Sequence, residues 1–149
     1  MPVVPVAEAE PALAHRLRPP RHLRHRAQFD AVLASAPAAK SPHFALHMAD
    51  TTAHRDPSGL FPGQGPWVGV LLPKRWARRA VTRNTLRRQV YALAAEWHAR
   101  LPDAALVLRL RAGFDRKAFP SATSEALKRA ARAELQTLLA RVALPGAAA

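Results

Sequence analysis

Seven Lys and Arg side chains fall within residues 74–88, with no Asp or Glu among them. The block reads Lys74-Arg75-Trp76-Ala77-Arg78-Arg79-Ala80-Val81-Thr82-Arg83-Asn84-Thr85-Leu86-Arg87-Arg88. It follows the apolar run 67–72, closed by Pro73, and leads into Leu86, Val90, Leu93 and Trp97 at i, i+4, i+7 and i+11. That spacing predicts a helix starting near Ala80 with one buried stripe. At about 100° per residue, Asn84, Arg87, Arg88 and Tyr91 point away from the stripe, with Arg83 at its edge. Arg78 and Arg79 fall just before the helix N-terminus, where the dipole adds attraction for phosphate. The chain must therefore build a core on one side of this helix while leaving an uncompensated cationic face on the other. Such a face repels itself and is stable chiefly when a polyanion supplies the counter-charge.

The rest of the chain is consistent with that demand. Its 149 residues suit one domain with a core of Leu, Val and Ala, since aromatics make up only 6%. Net charge is +13, with Arg far outnumbering Lys, which favours phosphate polymers and, through planar forks and stacking, RNA. Part of the Arg and Ala richness is explained by a GC-rich genome; the lack of carboxylates in the block is not. With no Cys, disulfides, Cys-ligated zinc and thiol nucleophiles are excluded, which agrees with a reducing cytoplasm. The N-terminus lacks the basic start and apolar centre of a signal peptide, and no stretch approaches the roughly 20 apolar residues of a membrane span. A cytoplasmic location is expected.

Residues 1–14, rich in Pro and Ala, are expected to be a flexible tail, as are residues 144–149, leaving one domain over 15–143. Pro19-Pro20 favours an extended approach to a helix over 24–34, whose apolar face is Phe29, Val32 and Leu33. Residues 42–48 read as a strand with Phe44 and Leu46 on one face and His43, Ala45 and His47 on the other. The Pro- and Gly-rich segment 50–66 reads as a long exposed loop. Residues 67–72 and 104–111 are further strands; in the latter Ala105, Val107 and Arg109 alternate with Leu106, Leu108 and Leu110. A helix over 121–142 would bury Leu127, Ala131, Leu135, Leu138 and Val142, with Ser121, Thr123 and Ser124 as helix-start residues. The order helix, strands, basic helix, strand, helix predicts a single-domain α/β (α+β) layer fold around a central sheet.

Phe29 reads first as ordinary core; its functional alternative is an aromatic platform that stacks an unpaired base beside the basic surface, with Phe44 and His47 on a neighbouring strand. His22 and His25 have i, i+3 spacing but no evident third ligand, so no metal site is assigned. Carboxylates are scattered, and no catalytic residues are assigned. On residues alone, a structured-RNA-binding protein such as a ribosomal component or chaperone, a DNA-binding module and a membrane-surface helix all share the charge. The apolar stripe of the basic helix argues against the last, because it is needed in a core.

The run Val68-Gly69-Val70-Leu71-Leu72-Pro73-Lys74-Arg75, with Ala80-Val81, Arg83-Asn84 and Arg87-Arg88 following without a gap, resembles the signature of the bacterial ribonuclease P protein subunit. Thr85 stands where that pattern has a second Arg. Upstream, Leu23-Arg24, Phe29 and Val32-Leu33 look like the family's first helix; downstream, Asp103, Val107 and Arg109 look like its last strand. The resemblance implies a two-layer α/β sandwich in which a left-handed βαβ crossover carries the basic helix. It implies a protein that assists an endoribonuclease whose catalytic centre is RNA, one protein per RNA, with Mg²⁺ held mainly by the RNA. The catalytic RNA would be contacted by Lys74, Arg75, Arg78, Arg79, Arg83, Asn84, Arg87 and Arg88. The 5′ leader of precursor tRNA would lie in a cleft lined by Phe29, Leu33, Phe44, Leu46 and His47 and bordered by Lys74 and Arg75, with Asn84 a possible aid to a metal ion.

Overall fold

The computed structural model describes residues 20–115, 117–119 and 124–144. The expected tail 1–14, the helix-start residues Ser121 and Thr123, and residues 145–149 lie outside the described residues. Leu144, assigned to the second tail, is tied down: its N–H donates to the Arg100 carbonyl at 2.8 Å.

Five strands form one sheet: β1 (Arg21–His22), β2 (Ala39–Lys40), β3 (Phe44–Ala49), β4 (Trp67–Leu71) and β5 (Ala105–Leu110), in the order β1-β4-β5-β3-β2. The helices are α1 (Arg26–Leu33), α2 (Ala80–Trp97) and α3 (Glu125–Val142). β4 and β5 are parallel neighbours, so the chain must cross over between them, and α2 is that crossover. β3 pairs antiparallel with β5 and with β2, and β1 lies parallel to β4 at the edge.

Alternation along β3 and β5 explains the layers. Phe44, Leu46, Leu106, Leu108 and Leu110 share one face and meet Leu86, Val90, Leu93 and Ala94 of α2 and Ala131, Leu135, Leu138 and Leu139 of α3. This sheet and helix pair are the two main layers. The opposite face, with Ala105, Val107 and Trp67, packs on Leu23 and on Val32 of the short α1. Each fully buried Leu or Phe contributes about 1.5–3 kcal/mol relative to exposure.

The ends follow local chemistry. The Ser124 hydroxyl caps α3 by accepting from Leu127 N–H at 3.1 Å, with Glu125 in the first turn and Arg141 in the last, as the helix dipole favours. α1 begins at Arg26 rather than 24, because Gln28 Oε1 accepts from the N–H groups of Arg24 (2.8 Å) and His25 (3.0 Å) and holds them out of the helix. Gln28 Nε2 also donates to the Leu60 carbonyl at 2.9 Å.

Segment 50–66 is exposed over much of its length, as its composition suggests, but it is anchored at buried points. Phe61 is 1% exposed and meets Trp67 edge-on, with ring centroids 6.0 Å apart. Asp103 straps the segment, pairing with Arg55 at 3.0 Å and accepting from Gly65 N–H at 2.6 Å. The reason is coverage: eight residues of α1 span only about 12 Å, so Leu60 and Phe61 must close the rest of that sheet face.

Candidate nucleic-acid interface

The basic block divides between the β4–α2 loop and the exposed side of α2. Lys74, Arg75, Arg78, Arg79, Asn84, Arg87 and Arg88 are all exposed. None of the ion pairs among the described residues engages any of the seven cations. Opposite them, Leu86 and Leu93 are fully buried, so α2 cannot roll its cations inward without exposing the core. Among the described residues no side chain caps the α2 N-terminus, where Arg79 is in extended conformation.

Individual members of the block differ. Arg83 is half-buried, and its Nη1 donates to the carbonyls of Ala77 and Arg78, each at 2.9 Å. It shapes the loop that presents Arg78 and Arg79. Asn84 Oδ1 accepts from Arg87 Nη1 at 2.8 Å, holding that guanidinium along the helix surface. Thr85 is turned into the core and its hydroxyl donates to the Val81 carbonyl at 2.8 Å, so its position faces away from the cationic side. Tyr91 was expected to point away from the apolar stripe. It instead packs at the edge of the core and stacks on His22 of β1 with centroids 3.9 Å apart. Burial pushes the Tyr91 phenol up, and burial together with Arg24 pushes the His22 imidazole down.

Trp76, which the motif reading passed over, is 37% exposed inside the block, with the Arg75 guanidinium 5.4 Å from its ring centre. It borders a cavity of about 230 Å³ with Arg78, Arg79, Phe114 and Phe119. The available signal was an aromatic among cations; its exposure depends on Pro73 ending β4 before Trp76 can join the sheet.

The cleft residues do not all come together. Phe29, Leu33 and His47 lie on the face that α1 covers. Phe44 and Leu46 are 0% exposed on the opposite face, beneath α2 and α3, and cannot line a cleft under α1. Period-two alternation sets Phe44 and Leu46 on the face away from His47, and a sheet covered on both sides has two separate interiors. Phe29 packs against β4: a Cβ on Gly69 would lie 2.7 Å from its Cε1. His47 is buried, its Nδ1 is 3.0 Å from the Ser35 carbonyl, and its Nε2 accepts from Arg109 Nε at 3.2 Å. Its pKa lies below the ordinary imidazole range, first through burial and further through Arg109 and Lys40, against the opposing Ser35 bond. Lys74 follows Leu71, the last residue of β4, by three positions, at most about 11 Å of chain, so the basic loop leaves from the end of the sheet that holds Arg109.

Among the described residues no three His, Cys, Asp or Glu side chains come together, and the Asn84 oxygen is already engaged by Arg87. Mg²⁺ requires several oxygen ligands in octahedral array, and the described residues do not supply such a set. No helix among them is long and apolar enough to cross a membrane.

Fold and surface thus define an α/β protein whose crossover helix presents an unneutralised cationic face. The family model described as Ribonuclease P matches residues 17–140. The ribonuclease P protein component of Bordetella petrii is 36% identical over 127 residues, covering 83% of this chain and 94% of the relative. That of Burkholderia pseudomallei is 31% identical over 116 residues, covering 78% and 77%. The Staphylococcus aureus ribonuclease P protein superposes with a TM-score of 0.59 at 14% identity, covering 81% of this chain and 95% of that one. The chain belongs to the ribonuclease P protein family, and is thereby a component of a tRNA-processing ribonucleoprotein.

Proposed function

We propose that this chain binds the catalytic RNA of ribonuclease P through the exposed side of α2 and the β4–α2 loop. In the same complex it holds the 5′ leader of precursor tRNA between α1 and the sheet. Removal of the leader is then an endonucleolytic step performed by the RNA, with Mg²⁺ held mainly by RNA phosphates and one protein per RNA. The observation that carries this reading is the set of seven cations, none paired with a described carboxylate, spread over the β4–α2 loop and a helix whose other side is committed to the core. Arg78, Arg79, Arg87 and Arg88 offer planar donors to phosphate, Asn84 orients Arg87, and Arg83 shapes the loop. Phe29 and Leu33 form the α1 wall of the cleft, His47 lies in its floor, and Lys74 and Arg75 border its open end. Charge on both surfaces lowers the repulsion between two RNA strands, which lets the complex work at lower Mg²⁺.

The test is cleavage of precursor tRNA by a matched catalytic RNA at low Mg²⁺, with and without the protein. Mature 5′ ends that appear only with the protein support the reading. Tight RNA binding without stimulation would leave a general structured-RNA-binding protein.

A further inference from the structure

We propose that Arg109 is the phosphate-binding cation of the cleft and that His47 is the residue that positions it. The inference rests on the reading that the cleft holds single-stranded leader RNA, and it names the group that grips the backbone there.

Strand register builds the site. Lys40 pairs with Ala45, Ala45 with Arg109, and Arg109 with Leu71, so these four form one row across β2, β3, β5 and β4. Side chains in one row share a face. The next row on that face is His47, Val107 and Gly69, and α1 rests on it through Phe29. Arg109 therefore lies one row beyond the contact with α1, toward the end where the basic loop leaves β4.

The environment of Arg109 differs from that of the structural arginines. Arg83 binds two main-chain carbonyls, and Arg55 binds the Asp103 carboxylate and carbonyl. Arg109 is half-buried, and among the described residues its one side-chain hydrogen bond runs from Nε to His47. Its two Nη groups keep the end-on fork that matches phosphate oxygens. Among the described residues no carboxylate pairs with Arg109 or with exposed Lys40. Two uncancelled cations in one row raise the local positive potential and attract a polyanion.

His47 holds the fork by a relay. Its Nδ1–H donates to the Ser35 carbonyl, which leaves the Nε2 lone pair to accept from Arg109. Only the neutral imidazole can do this. The charged groups facing it are Arg109 of β5 and Lys40 of β2; the segment after α1 contributes the Ser35 carbonyl, and β4 contributes uncharged Gly69. Protonation would remove the acceptor and set imidazolium against two cations, releasing Arg109 from its aim.

The holoenzyme, reconstituted from the catalytic RNA and this protein, tests the inference through the ratio of affinities for precursor tRNA with a leader long enough to cross the cleft and with a truncated leader. Arg109→Ala is expected to lower that ratio about tenfold, with affinity for the truncated substrate unchanged. Arg109→Gln, which retains an amide for His47, guards against a folding defect and should give the same loss. His47→Ala should lower the ratio at neutral pH. His47→Gln, a neutral acceptor that does not titrate, should restore it and abolish the fall that the wild-type protein shows as pH drops below the imidazole range. A wild-type preference for the long leader that both Arg109 variants leave intact would overturn the inference alone. Equal wild-type affinity for the two substrates would overturn the cleft reading and the inference with it.

Discussion

Gly69 makes room for Phe29, the aromatic wall of the proposed cleft, and Gly69→Ala measures how tightly that ring is seated. A Cβ at position 69 would lie 2.7 Å and 2.9 Å from Cε1 and Cζ of Phe29 and 2.8 Å from Cδ1 of Leu23. Carbon atoms in good contact sit about 3.5–4.0 Å apart, so both side chains must retreat by roughly 0.8 Å. The two differ in freedom. Leu23 is 5% exposed and hemmed in by the second core cluster, whereas Phe29 is half-buried and can tilt outward. Overpacking of this kind costs about 1–3 kcal/mol, and with one yielding neighbour the lower half of that range, about 1–2 kcal/mol, is expected. Urea unfolding of the wild type, Gly69→Ala, Phe29→Leu and the double variant closes a cycle. Removing the ring should relieve part of the clash, giving a favourable coupling of about 0.5–1 kcal/mol. The leader-length preference should fall in Gly69→Ala, because the displaced ring narrows the cleft, while affinity for the catalytic RNA holds. A loss below about 0.5 kcal/mol, or strict additivity with Phe29→Leu, would refute the placement of Phe29 on β4.

Two other perturbations probe the remaining parts. Arg87→Glu with Arg88→Glu should weaken catalytic-RNA binding by at least about tenfold with the unfolding midpoint unchanged, since both side chains are exposed; wild-type binding, if about five phosphates are neutralised, should itself fall roughly a hundredfold between about 50 and 200 mM salt, and a flat response would contradict the interface. Glu134→Ala should destabilise the fold by about 2–4 kcal/mol in urea melts, because Glu134 Oε1 accepts from Ser41 Oγ (2.5 Å) and His43 N–H (2.8 Å) while Oε2 lies 2.6 Å from His43 Nδ1, pinning the β2–β3 turn to α3; a loss under about 1 kcal/mol would show that solvent replaces those bonds.

Features written at a short period were legible in the chain. The spacing of Leu86, Val90 and Leu93 states which side of α2 is buried, and Arg87 and Arg88 between them state which side is not, because a helix repeats every 3.6 residues whatever it packs against. The alternation of β5 likewise separates Leu106, Leu108 and Leu110 from Val107 and Arg109. β1 and β2, two residues each, are too short to carry a period and exist because a partner strand supplies their bonds. Phe61, alone among Pro and Gly, announces no burial; it is buried because α1 is too short to cover the sheet.

The composition of the proposed cleft belongs to the same divide. Alternation separates Phe44 and Leu46 from His47, yet says nothing about which helix covers which face, since that choice is made by contacts far apart in the chain. Arg109 and His47 are 62 residues apart, and only the pairing of β3 with β5 brings the guanidinium to the imidazole. Charge, helix phase and family membership are local or linear properties, and the order of residues is enough to establish them. The partner of each buried polar group is a matter of strand register and layer packing, and it comes into being only when the sheet closes.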